Sequence, residues 1–200
     1  MRIFLDTEFT DLGVDPRLLS VGMVGSGRDP REFYAEVTDR ERLHAASWFA
    51  LDVVLPQFGK FAHASCSYAT LGARVAAFFD RIVTSLGARE IVEVAFSDGR
   101  DWELTERAML DCGAGPSVKA RKALRPLNVH DVTGARAGRL AAEAYFTGQD
   151  AAVIQRHHAL CDARALRRAY EAATSAELVC DSPPQKEAQT VGFVACAGRR

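Results

Sequence analysis

The chain is expected to fold as an α/β domain, with helices packed on a mixed sheet whose first strands form an antiparallel meander. Three observations predict this. Three short apolar strand-like runs, joined by short polar loops, occupy the first 37 residues. From Thr70 to Leu86 the apolar period lengthens to that of a helix. Strand-like and helical stretches then alternate to about residue 173, the pattern of a sheet covered by helices.

In order, residues 2–9 open with an apolar run that ends in Asp6, and Phe4, Thr7 and Phe9 favour extended backbone. Leu18 to Val24 reads as a buried strand, and Glu32 to Val37 as a third, after the turn signals Gly25, Gly27 and Pro30. Leu71, Val75, Phe78, Phe79, Ile82 and Leu86 recur at helical spacing before the stop at Gly87. Ile91 to Phe96 reads as a strand and Asp101 to Leu110 as a helix ended by Gly113 and Gly115. Leu127 to Val132 reads as a last strand, followed by helices over Gly138 to Phe146 and Leu160 to Ala173. The pattern weakens from Thr174 and breaks at Pro183-Pro184, so 1–173 is expected to be the domain and 174–200 a loosely held tail, with Val191 to Val194 able to dock on the body.

Composition narrows the function classes. Lys plus Arg number 25 and Asp plus Glu 26, a formal net charge of −1. That excludes holding nucleic acid by bulk positive charge. No apolar run approaches the ~18 residues of a membrane span, and the N-terminus lacks the apolar stretch of a signal peptide. The five cysteines are odd in number and scattered, as expected of free thiols in the cytoplasm. His63 and Cys66 have no second ligand pair, so no zinc site is expected there.

The chemistry is expected at element ends. Asp6 and Glu8 are two apart on a strand, so both point to one face. Asp101 opens a helix after the strand ending at Phe96, and Asp162 opens the last long helix five residues after His157. Several carboxylates gathered in one pocket repel one another unless a hard cation neutralises them, and Mg²⁺ or Mn²⁺ suits such an oxygen-rich site.

These residues resemble a family. Asp6-Thr7-Glu8-Phe9, then Asp101, then His157-His158-Ala159-Leu160-Cys161-Asp162-Ala163, in the form H-x-A-x-x-D-A, look like the three motifs of the DEDDh 3′–5′ exonucleases. The first motif alone is weak and the third is specific. The likeness spans about residues 2–170. Within the superfamily, Leu18-Leu19-Ser20-Val21-Gly22, Ser47-Trp48 and Val54-Leu55-Pro56 resemble segments of the RNase AS type; RNase T and oligoribonuclease are more distant members.

The resemblance implies a ribonuclease H-like fold and hydrolysis of single-stranded RNA from its 3′ end to nucleoside 5′-monophosphates. It implies two Mg²⁺ or Mn²⁺ ions held by Asp6, Glu8, Asp101 and Asp162, with His157 as general base on the attacking water. It places Thr7 and Phe9 beside the 3′-terminal nucleotide, and a homodimer is in keeping with it. Asp101 rather than Asp98 is taken as the motif acid, Asp98 as a turn residue. His158 is expected to be an exposed loop residue, with a place near the site as the alternative. Trp48 is expected in the core, with stacking on a base as the alternative. Lys119, Arg121, Lys122 and Arg125 form a dense basic cluster, expected as solvated surface with a phosphate track as the alternative. A DNA exonuclease on the same fold and a non-catalytic nucleic-acid-binding module remain open alternatives.

Overall fold

The computed structural model describes residues 1–27, 31–86, 90–113, 115–148 and 154–180. Strands β1 (Arg2–Phe9), β2 (Leu18–Gly25) and β3 (Glu32–Val37) form the expected antiparallel meander. A short helix α1 (Arg40–His44), a π-helical turn (Ala50–Val54) and a 3-10 turn (Leu55–Gln57) lead to the two-residue strand β4 (Ser65–Cys66). Helix α2 (Tyr68–Ser85) precedes β5 (Val92–Phe96), α3 (Gly99–Asp111), α4 (Val118–Ala123) and β6 (Leu124–Asn128). Helices α5 (His130–Thr133), α6 (Arg136–Thr147) and α7 (Ala159–Cys180) complete the order. The six strands make one mixed sheet in the order β4-β3-β2-β1-β5-β6. β5 runs parallel to β1, and β6 parallel to β5.

Burial explains the layering. All eight residues of β2 are buried, so both faces of the sheet are covered. On one face Leu5, Val21 and Met23 pack with Leu71, Val75 and Phe79 of α2 and Leu104 and Met109 of α3. On the other, Val24 and Tyr34 pack with Ala159, Leu160 and Ala163 of α7. Phe4 packs there with Ala95 and Leu166. The alternation along β1 sends Ile3, Leu5 and Thr7 towards α2 and α3, and Phe4, Asp6 and Glu8 towards α7.

The contact between α7 and β2 is unusually close. A methyl group built on Gly22 would lie 2.2 Å from the backbone carbon of Ala159. Gly22 is the cross-strand partner of Asp6. The first turn of α7 therefore sits directly beside the acid-bearing part of β1.

Several expectations are corrected. The last strand is Leu124–Asn128, not Leu127 to Val132. Pro126 is tolerated within it because β6 is the edge strand. The Asn128 side chain then accepts from the His130 N–H at 2.9 Å, turning the chain into α5. The last helix continues past Thr174 to Cys180, so the tail does not begin where the pattern weakens. Residues 181–200, with the docking segment Val191 to Val194, lie outside the described residues. The short elements α1, α4, α5 and β4 are too brief to show a period in the sequence.

Gly22→Ala is expected to lower stability by about 1–3 kcal/mol, because backbone rather than a movable side chain occupies the space. Gly99→Ala, where nothing lies within 4 Å of the added carbon, should stay within about 0.5 kcal/mol of the parent. Urea unfolding of the two variants measures the difference.

Candidate active site

Three segments far apart in sequence meet at the C-terminal end of β1. Asp6, Glu8, Asp101, His157 and Asp162 line one cleft of about 590 Å³, together with Thr7 and Phe9. Every residue expected to form the site is thus brought to it.

Each side chain is positioned by a local device. A β-bulge between Glu8 and Phe9 ends the regular pairing of β1. Asp101 is buried in the first turn of α3, against the C-terminal part of β1. Its Oδ1 accepts from Thr7 twice, from N–H at 3.1 Å and from Oγ1 at 2.8 Å. Its Oδ2 accepts from the Asp98 N–H at 3.3 Å, completing a capping box. Asp98 is the N-cap, its carboxylate accepting from the Arg100 N–H at 2.9 Å. Thr7 thus ties α3 to β1 rather than presenting a free hydroxyl to the cleft.

His157 adopts the left-handed conformation, φ +65°, rare for a residue with a side chain. Its N–H donates to Asp162 Oδ2 at 2.8 Å. A residue not singled out in the sequence, Gln57, holds the other side of this turn. Gln57 Nε2 donates to the carbonyls of Arg156 and His157 at 2.9 and 3.0 Å, and Oε1 accepts from the Gln155 N–H at 3.1 Å. Gln57 is itself buried, and its Nε2 also donates to the Val53 carbonyl at 3.2 Å, which ties this loop to the π-helical turn. The imidazole of His157 meets Phe49 edge-on, with ring centroids 4.9 Å apart.

The electrostatics are those of an uncompensated acid cluster. Glu8 reaches about pH 9, pushed up by burial and then by Asp162 and Asp101. Burial first, then Asp101, Asp162, Glu8 and Asp98, raises the Asp6 carboxyl well above its usual range. Asp101 and Asp162 rise to about 7 through burial, against the hydrogen bonds they accept. Asp162 Oδ1 is buried without a partner among the described residues. Glu8, His157 and Asp162 offer ligand atoms all within 4.8 Å of one another, a spacing able to hold a metal ion. His157 is lowered by burial and by Arg156, so its imidazole is neutral near pH 7.

Other expectations change. His158 is buried, not an exposed loop residue: the turn at His157 sends it inward, stacked on Tyr34 at 4.4 Å and beside Phe61. Burial lowers it to about 4. Trp48 is 82% exposed rather than in the core. Phe9 packs against the main core and also lines the cleft. The basic cluster Lys119 to Arg125 sits on α4 and at the start of β6, beside the beginning of β5. That is the opposite end of the sheet from the acids, so it is not part of the site. Cys66, Cys112 and Cys161 are free thiols. No described helix is long and apolar enough to cross a membrane. Comparison with models of known families and with curated proteins finds no match to this chain.

The raised carboxyls fix the sign of a pH effect. In the unfolded chain they titrate near pH 4. Folding therefore takes up protons above that pH, and stability present in acid is lost as pH rises towards the folded values of about 7 to 9. Metal-free protein should melt lower at pH 9 than at pH 5. Millimolar Mn²⁺ should raise the melting temperature more at pH 9, where the ligands are ionised. Equal shifts at the two pH values, by differential scanning fluorimetry, would contradict this account of the cluster.

Proposed function

We propose that the protein is a metal-dependent 3′–5′ exoribonuclease of the DEDDh type, on a ribonuclease H-like fold, releasing nucleoside 5′-monophosphates from single-stranded RNA. The observation that carries this is the convergence of four carboxylates and one neutral histidine on a single cleft from three distant segments. Carboxylates left with raised pKa values and an unpartnered buried oxygen are a poor way to meet a phosphate unless cations join them. The donor set is oxygen-rich and suits Mg²⁺ or Mn²⁺.

Asp6, Glu8 and Asp162 would hold one cation, and Asp6 with Asp101 a second. Bound there, two such ions supply Lewis-acid stabilisation of the attacking and leaving oxygens of an in-line displacement. The remaining work falls to the chain itself. His157, neutral near pH 7, accepts the proton of the attacking water. The Asp162 carboxylate, Gln57 and Phe49 fix its backbone turn and ring, so its basic nitrogen stays aimed at the cleft. Thr7 fixes Asp101, and Phe9 offers a ring on which the terminal base can stack.

The test is a time course on 5′-labelled single-stranded RNA and DNA with Mg²⁺, Mn²⁺ or EDTA. A ladder shortening from the 3′ end, faster on RNA and abolished by EDTA, is expected. Binding without cleavage would replace this proposal with a non-catalytic module. His157→Ala should lower kcat by about 10²-fold or more while Mn²⁺ binding persists. Gln57→Leu should lower kcat about tenfold and leave KM near normal, since it disturbs the histidine and not the acids. Near-normal turnover in His157→Ala would remove the general base.

A further inference from the structure

Asp6 and Asp162 are not the floor of one pocket but the wall between two. On the side of His157 lies the cleft described above, which carries Phe9, Leu12 and Phe49 and, among the described residues, no lysine or arginine. On the other side a second cleft of about 710 Å³ opens between α5, α6 and α7, and its lining includes Arg136, Arg139, Arg156 and His130. Asp6, Asp162 and Ser97 belong to both.

The arginines are held at this second cleft. Arg136 and Arg139 are three apart on α6 and share a face. Gly138 between them lets α6 sit tightly: an added carbon there would lie 2.4 Å from the Thr133 carbonyl and 3.1 Å from that of Ala169 on α7. Arg139 donates to the Gly134 carbonyl. Arg156 lies over the Phe146 ring at 4.3 Å and pairs with Glu143 at 2.7 Å. Arg136 makes no ion pair among the described residues. Among the described lining residues, apart from the shared Asp6 and Asp162, three guanidinium groups thus face one carboxylate.

We infer that this arginine-lined cleft is the binding track for the phosphate backbone of the polynucleotide on the 5′ side of the cleaved bond, an inference that rests on the hydrolase proposed above. Two arguments agree. A 3′-terminal nucleoside carries no phosphate beyond the one attacked, so its compartment needs apolar surface and no cation; the upstream chain brings one phosphate per residue and needs several. In addition, in-line displacement puts the attacking and leaving oxygens on opposite sides of phosphorus. His157 stands on the side of the first cleft, so the leaving nucleotide and the chain behind it extend into the second. Guanidinium groups suit that chain because their planar donors pair with phosphate oxygens.

The experiment compares kcat/KM for a 12-nucleotide single-stranded RNA with that for a dinucleotide, in the full chain with Mn²⁺. In Arg136→Glu/Arg139→Glu the ratio of the two should fall at least tenfold. The slope of log KM against log salt for the long substrate should flatten by about 0.7 for each phosphate left without its guanidinium. Arg136→Lys/Arg139→Lys should keep most of the ratio, and Arg136→Gln/Arg139→Gln should fall between, which separates charge from misfolding. An unchanged ratio in the Glu variant that still cleaves would overturn this inference and leave the hydrolase standing. No metal-dependent cleavage of either substrate by the parent chain would overturn both.

Discussion

The seat of α7 on Gly22 is the contact on which the site depends. Backbone meets backbone there, with no room for a side chain. The register of β1 against β2 places Gly22 opposite Asp6. The first turn of α7 is thereby locked beside the acids of β1, and Asp162 and the His157 turn come with it. Buried apolar area on both faces of β2 holds the helix down, and the missing side chain sets how near it can come.

A close seat has an electrostatic consequence. Bringing Asp162 to Asp6 and Glu8 costs stability, because all three lose water and Asp162 further raises the pKa of the other two. The protein offsets this only in part. Thr7 and the Asp98 N–H stabilise Asp101, and the His157 N–H stabilises one oxygen of Asp162. Asp162 Oδ1 has no such partner among the described residues, and in the proposed reading a cation would supply it. The left-handed turn at His157, clamped by Gln57, is a second local cost accepted at the same place. These costs are concentrated in one cleft of an otherwise well-packed domain, which is what the proposed hydrolase would require there.

Much of this was legible in the sequence where the information is local. The meander announced itself through runs of buried residues and turn signals, and α2 through its period. Asp6 and Glu8 could be paired because strand spacing puts residues i and i+2 on one side, whereas His157 and Asp162 are linked in the sequence only by the likeness of the H-x-A-x-x-D-A run. Asp101 could be separated from Asp98 only through the likeness of Asp101-Trp102-Glu103-Leu104 to a motif acid at a helix start, with Asp98 beside Gly99 reading as a turn residue. What could not be read depends on contacts distant in sequence. Gln57 meets His157 one hundred positions away. His158 is turned inward by the conformation of its neighbour, and an exposed Trp48 looks the same in sequence as a buried one. The dense basic cluster drew attention to residues 119–125, whereas the arginines near the acids are spread over α6 and the loop before α7 and form a group only in three dimensions.

The central claim is that the four carboxylates converge to hold cations. Its most direct test is the number of Mn²⁺ ions bound per chain, measured by calorimetric titration at pH 8 in the absence of nucleic acid and repeated for Asp6→Asn. The account predicts saturable binding approaching two ions per chain, lost in the variant while its circular dichroism spectrum is kept. No saturable binding, or binding that Asp6→Asn leaves unchanged, would contradict it.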